Sequence, residues 1–326
     1  MKGFLEKSLP AFFILFAFLI PVLTQDTYYQ HTLNVAFLFA ISVYGFNIIT
    51  GITGQFNIAH AGFIGIGAYV SALATTKFLL SFWIALPLAI LVTGIFGLLI
   101  GYPSLRLRGV YFALTTLGFG EILSLVFENW IPVTGGPMGI TGIPAPTAIK
   151  LPGGISFAFD SKIGFYYLCL IFMLLSIYVN RQLLESRLGR AMLGVRENED
   201  LAQSLGISIT GTKIIAFVLA TMFLGLCGSL YAHYFRFISP VSFSVAETFR
   251  HVTMLIVGGK GTLLGPLVGA FIFTALPEIL RSIEDYQWVA YGAILMVCIV
   301  FLPKGIVGLI KDIQERLSNE TIGKKQ

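Results

Sequence analysis

The sequence predicts an all-α, polytopic transmembrane protein of about 8–10 membrane-spanning helices, on three observations. Its mean hydropathy is +0.86, with 56% hydrophobic residues, 11% charged and 29 Phe in 326 positions. A water-soluble globule cannot bury that much apolar surface. The apolar residues come in continuous runs, which selects helices over a barrel of short alternating strands. The charges gather between the runs, so the +5 net charge reports membrane topology and gives no reason to expect a nucleic-acid partner.

In chain order, Lys2 and Lys7 precede an apolar run from Leu9 to Leu23. No small-x-small cleavage site follows at Thr24, Gln25 and Asp26, so an uncleaved first helix with a cytoplasmic N-terminus is expected. A second helix is expected from Leu33 to Thr50, followed by GITGQFNIAHAGFIGIGAYV. This segment puts Gly51, Gly54, Gly62, Gly65 and Gly67 at membrane depth beside Gln55, Asn57 and His60. Polar groups there must face protein or a water-filled path, and the glycines at 62, 65 and 67 also suit close helix approach. Gly51, Gly54, Gln55, Asn57, His60 and Gly62 are therefore the candidate substrate pathway, with interhelix hydrogen bonding as the other reading of the three polar side chains. A helix broken near Gly51 to Asn57 would also aim backbone N–H groups at a carboxylate.

The next helix is expected from Phe78 to Ile100, ended by Pro103 and the basic pair Arg106 and Arg108. Another follows from Val110 to Phe127 and carries Glu121. A lone carboxylate costs about 2.5–3.5 kcal/mol at the bilayer centre, so it is paired, displaced toward an interface, or functional. From 129 to 162 the composition turns to Gly and Pro, which reads as an external loop capping the pathway or meeting a partner. A helix from Gly164 to Val179, the charged stretch 181–213, and a helix from Ile214 to Tyr231 come next.

The short segment Val245 to Val257 holds Glu247 and Arg250 three residues apart, on one helical face. Gly258, Gly259, Gly261 and Gly265, with Pro266, then make a hinge that echoes the break after Thr50. Such an echo points to an internal repeat. Helices from Leu263 to Leu280 and Trp288 to Leu302 and a polar tail at 304–326 complete a single transmembrane domain over 1–326. Counted this way both termini are cytoplasmic, and the outer loops keep only Lys77, Lys150, Lys162, Arg236 and Arg281 among the basic residues, as the positive-inside bias requires.

Within 181–213, Glu197, Glu199 and Asp200 precede Leu201, Ala202 and Leu205, and Gly206 follows. Acids in a first turn and a glycine past the last are helix start and stop signals, so a short surface helix from Glu197 to Gly206 is expected. Its acids would be repelled by an anionic inner leaflet, which favours docking to a protein over resting on lipid. Arg196, Glu197, Glu199, Asp200, Ala202 and Gly206 form the candidate docking element.

Enzyme chemistry has no support. Cys169, Cys227 and Cys298 lie singly in apolar runs, the four histidines show no H-x-x-x-H spacing, and no G-x-S-x-G occurs. GGKGT lacks the spacing and the hydroxyl of a phosphate-binding loop, so neither a metal nor a cofactor is expected and any ATP hydrolysis belongs to another chain.

GRAMLGVRENEDLAQSLGISITGTKIIAF resembles the cytoplasmic loop of ATP-binding-cassette importer permeases, whose coupling helix carries E-A-A-x-x-x-G. Ala202 to Gly206 supplies the A-x-x-x-G, and Leu201 stands where alanine is common. GITGQFNIAHAGFIGIGAY, VGGKGTLLGPLVGA, LPEILR and FLPKGI are similar to motifs of the branched-chain amino acid permease family. The resemblance implies a bacterial inner-membrane permease domain pairing with a second, related permease as a heterodimer. It also implies an extracytoplasmic substrate-binding protein on one side and two cytoplasmic ATPase subunits on the other. A urea or short-amide importer permease is the rival within the family, and an ion-coupled secondary transporter using Glu121 is the rival outside it.

Overall fold

The computed structural model describes residues 26–150, 156–279 and 305–310, with a few isolated positions besides. Apart from those positions, the helices expected at 9–23 and 288–302 and the tail beyond 310 lie outside the described residues. The described residues are mostly helical: α1 Thr27–Phe46, α2 His60–Thr76, α3 Phe82–Ser104, α4 Val110–Asn129 and the short α5 Ile131–Thr134, then α6 Lys162–Glu185, α7 Arg187–Glu197, α8 Glu199–Ser204, α9 Ile209–Phe235, α10 Val245–Gly258 and α11 Gly265–Ile279. Among the described residues five helices are long and apolar enough to cross a bilayer: α1 with its extension to Ile52, α3, α4, α6 and α9.

Several helices outrun the apolar stretches that announced them. α9 begins at Ile209 rather than Ile214, α6 runs to Glu185 rather than Val179, and Pro103 lies inside the last turn of α3 instead of stopping it. An apolar run measures the depth of hydrocarbon, whereas a helix continues into the polar layer until its end groups find partners. Ser161 Oγ, for example, accepts from Gly164 N at 3.0 Å at the start of α6.

α9 forms the centre, packed against α1, α2 and α3. A Cβ on Gly67 would lie 2.6 Å from Gly225 Cα, and one on Gly97 would strike the Thr221 side chain. Small residues thus let these backbones meet where lipid supplies no hydrophobic drive between helices. Gly62 and Gly65 likewise make room for the Leu123 and Phe127 side chains of α4. Burial is uneven: 83% of the apolar window of α1 is inside the protein, against 28% for α4.

α10 has 14 residues, about 21 Å at 1.5 Å per residue, too short to span a core of about 30 Å. The crossing expected there is therefore not made by α10 alone; the 3-10 turn Pro240–Phe243, with Pro240 and Phe243 buried, precedes it. The segment 129–162 folds in its described part into a tied cap rather than a plain loop. β1 (Ile140–Thr141) pairs antiparallel with β4 (Phe237–Ile238) after α9, and β2 (Ile149–Lys150) with β3 (Ser156–Phe157). Trp83 Nε1 donates to Thr147 O at 3.0 Å and Lys77 Nζ to Pro132 O at 2.7 Å, anchoring the cap to the ends of α2 and α3. The opposite end of the bundle carries α7, α8, the α3–α4 turn and both glycine breaks.

Candidate functional site

The first glycine break begins where α1 widens into a π-helix, Asn47–Ile52, a distortion frequent at functional sites. The chain then leaves helical geometry from Thr53 to Ala59 and folds back inside the protein. His60, the first residue of α2, reaches Ser42 of α1, with Nε2 and Oγ 2.7 Å apart. Irregular backbone at that depth must find its partners in protein. Ile58 N donates to Thr116 Oγ1, Ala59 N to Asn57 Oδ1 and Ala61 N to Thr248 Oγ1, each at 3.0 Å, while Thr50 Oγ1 donates to Gln55 O at 2.9 Å.

The candidate pathway residues are therefore together, and turned inward. Gln55, Asn57 and His60 are buried and support the break, and Gly51 and Gly62 are also buried; Gly54 alone of the six is exposed. Within the segment 51–57, whose N–H groups are expected from sequence to face a carboxylate, Thr53 N and Gln55 N donate to Ile48 O and Ile49 O, and just beyond it the N–H groups of 58, 59 and 61 are occupied by side chains of the protein itself. His60 also stands 5.0 Å, ring to ring, from His251 of α10, and each keeps one buried nitrogen without a hydrogen-bond partner, Nδ1 and Nε2 respectively. Glu247 and Arg250 form the expected pair at 3.3 Å.

The second break, Gly259 to Leu264, touches the first. Asn47 Oδ1 accepts from Gly261 N at 2.7 Å and its Nδ2 donates to Thr262 O at 3.1 Å, while Tyr44 Oη donates to Leu263 O at 2.9 Å. The helical turn 305–310 closes on the same place, with Gly305 against Gly259. The two breaks that echo one another in sequence are thus knitted into one unit at one end of the bundle.

The charged stretch lies on that end, and it is two helices, not one. Asn198 is extended, and its Oδ1 accepts from Leu201 N at 3.0 Å, so it caps α8 and separates it from α7. The short helix starts at Glu199, and Arg196 and Glu197 belong to the end of α7. Asn198 offered a better cap than either acid because its side chain both bends the chain and accepts a bond. Gly206, with φ +83°, ends the element as expected.

Glu199 does not point outward. Its carboxylate bonds Lys213 Nζ of α9 at 2.6 Å and pairs with Arg108 Nε of the α3–α4 turn at 3.3 Å. Lys213 is only 1% exposed, and a buried ammonium that loses its counter-charge costs about 3–5 kcal/mol. Arg196 is turned inward as well: Nη1 donates to Gly51 O at 2.8 Å. What faces solvent is Asp200, Gln203, Ser204 and Gly206, with Leu201 60% and Leu205 73% exposed, while Ala202 is buried beneath them. Glu121 lies exposed on α4, and among the described residues its carboxylate has no ion-pair partner.

Sequence reading missed Arg108, Lys213 and Asn47 as parts of this site. Asn47 had a signal, an amide inside an apolar run; the two bases had none, since a base beside charged residues reads as solvated.

The fold and this end layer define a polytopic helical membrane protein with a polar assembly at one face. A family model described as branched-chain amino acid transport system, permease component, matches residues 28–302, and the chain belongs to that family. It is 33% identical over 309 residues to the high-affinity branched-chain amino acid transport system permease protein LivM of Salmonella typhimurium, covering 90% of this chain and 73% of the relative. LivM of Escherichia coli K12 matches at 33% over 303 residues, 88% and 71% of the two chains. The permease protein LivH of the same strain matches at 24% over 287 residues, 83% and 91%. No solved structure matches significantly.

Proposed function

We propose that the chain is a permease subunit of an ATP-binding-cassette importer, carrying branched-chain or other hydrophobic amino acids across the bacterial inner membrane. The observation that carries this is the exposed pair of Leu201 on α8 and Leu205 just past its end, rimmed by Asp200 and Gln203, above a layer tied directly to both glycine breaks. Two large apolar side chains on and at the end of so short a polar helix suit a protein partner, and water-soluble ATPase subunits are that partner. The names of the LivM and LivH relatives favour amino acids over urea or amides as cargo, and the similarity to both supports a pair of related permeases.

In this reading the end with α7 and α8 faces the cytoplasm, where both termini also lie, and a substrate-binding protein meets the cap at 129–162. The second permease packs on the α4 side. That side is the least buried, and Glu121 in mid-span is poorly suited to lipid, so protein or the path between the two subunits covers it. Closure of the ATPases moves α7 and α8, and the joined breaks around Gly51 to Gly62 and Gly258 to Pro266 shift with them, opening the path to one side or the other. Gln55, Asn57 and His60 hold the break in one state and meet the path in the other.

The test is leucine uptake into proteoliposomes holding this chain together with the second permease, both ATPases and the binding protein of the same importer. Uptake that needs ATP and all components is expected. Uptake by this chain alone under an ion gradient would overturn the proposal and support a secondary transporter.

A further inference from the structure

Arg196 sits at the junction of three segments that are far apart in sequence. Its Nε and Nη2 both donate to Glu197 Oε1, at 3.1 and 2.7 Å, which fixes the plane of the guanidinium. That leaves Nη1 aimed inward at Gly51 O, 2.8 Å away. Gly51 lies at the C-terminal end of the α1 π-turn, where carbonyls lack intrahelical donors and the helix dipole favours a cation. A planar, multi-donor cation holds its own carboxylate along one edge and a distant carbonyl along another in a fixed geometry, which a flexible ammonium does not impose.

Two glycines give the side chain its room. A Cβ on Gly54 would lie 2.6 Å from Arg196 Cγ, and one on Gly261 would lie 2.7 Å from Arg196 Nη1. Arg196 thus lies across both breaks, and Asn47 ties those breaks to each other from the inner side. The side chain is partly buried, at 34% exposure, whereas Glu197 is 73% exposed.

We propose that Arg196 is the positioning residue that transmits displacement of α7 and α8 to the two glycine breaks, acting on the pathway side of the cytoplasmic layer and not as an ATPase contact. This rests on the importer reading above. A rigid side chain bonded to the end of α1 and seated on the second break moves both when α7 moves. Without it, α7 and α8 still receive the push, but the breaks follow only loosely.

The experiment uses the five-component proteoliposome system with radiolabelled leucine, measuring uptake and ATP hydrolysis together. In the Arg196→Ala variant, leucine carried per ATP hydrolysed is expected to fall about tenfold, with the complex still assembled on size exclusion. Arg196→Lys, which keeps the charge but loses the rigid fork that fixes both partners, is expected to restore part of that ratio. Gly54→Ala should lower the ratio on its own, and the double variant Arg196→Ala/Gly54→Ala should be no worse than Arg196→Ala, because the part of the defect due to displacing Arg196 has no second target.

An unchanged ratio, a proportional loss of uptake and hydrolysis, loss of assembly, or fully additive defects would overturn the role. Failure of the wild-type complex to take up leucine with ATP would instead count against the importer reading itself.

Discussion

The two faces of the α7–α8 pair carry similar residues and do different work. On the inner face Glu199 closes on Lys213 and Arg108, Arg196 on Gly51, and Ala202 is buried. On the outer face Asp200, Leu201 and Leu205 meet no comparable partner among the described residues; there Asp200 has a loose pair with Arg108 at 3.8 Å, both side chains largely in solvent. Glu199 and Asp200 are adjacent acids in one first turn, yet one secures the fold and the other is free to meet a partner. A residue's role in this layer is therefore set by which side of a short helix it occupies, not by its charge.

The sharpest way to break that comparison is Glu199→Lys. It puts a second cation beside the buried Lys213 and beside Arg108, and the expected destabilisation is about 3–5 kcal/mol or more, read as loss of folded protein in detergent thermal melts. A melt like that of the wild type would mean the inner face is not structural. Asn47→Ala comes next. It removes the acceptor of Gly261 N and the donor to Thr262 O, and about 1–3 kcal/mol of stability should be lost. The same melts check it, together with faster amide exchange at 259–262.

Leu205→Ala should leave the melt unchanged, weaken binding of the ATPases by about 1–2 kcal/mol and raise the ATPase concentration needed for assembly. The smallest effect is expected from Asp200→Asn, since an exposed ion pair contributes about 0–1 kcal/mol. Its melt should match the wild type at low and high salt.

The spans were legible because an apolar run of bilayer length has no soluble alternative, and the breaks because Gly51, Gly54, Gly259 and Gly261 fall in or beside such runs. The contact between the breaks was not legible, because it depends on Asn47 meeting residues more than two hundred positions away. The helix around Glu197 to Gly206 was placed correctly at its end and wrongly at its start, since acids and Asn198 both signal an N-terminus and only geometry ranks them. Arg196 and Glu199 read as part of an outward docking element because neighbouring charges in sequence carry no information on which way a two-turn helix faces. His60 and Asn57 read as pathway groups for the complementary reason: hydroxyls of Ser42, Thr116 and Thr248, inconspicuous in apolar runs, bring bonds to the break around them.

The central claim is that α8 presents its outer face to the ATPase subunits, and cross-linking tests it most directly. Leu205→Cys, in an otherwise cysteine-free functional complex, should cross-link to an ATPase subunit bearing engineered cysteines on its membrane-facing surface, with a yield that changes on adding ATP. Ile171→Cys, exposed at the middle of α6, should give no such product. Absence of the Leu205 product in a complex that still imports leucine with ATP would contradict the account.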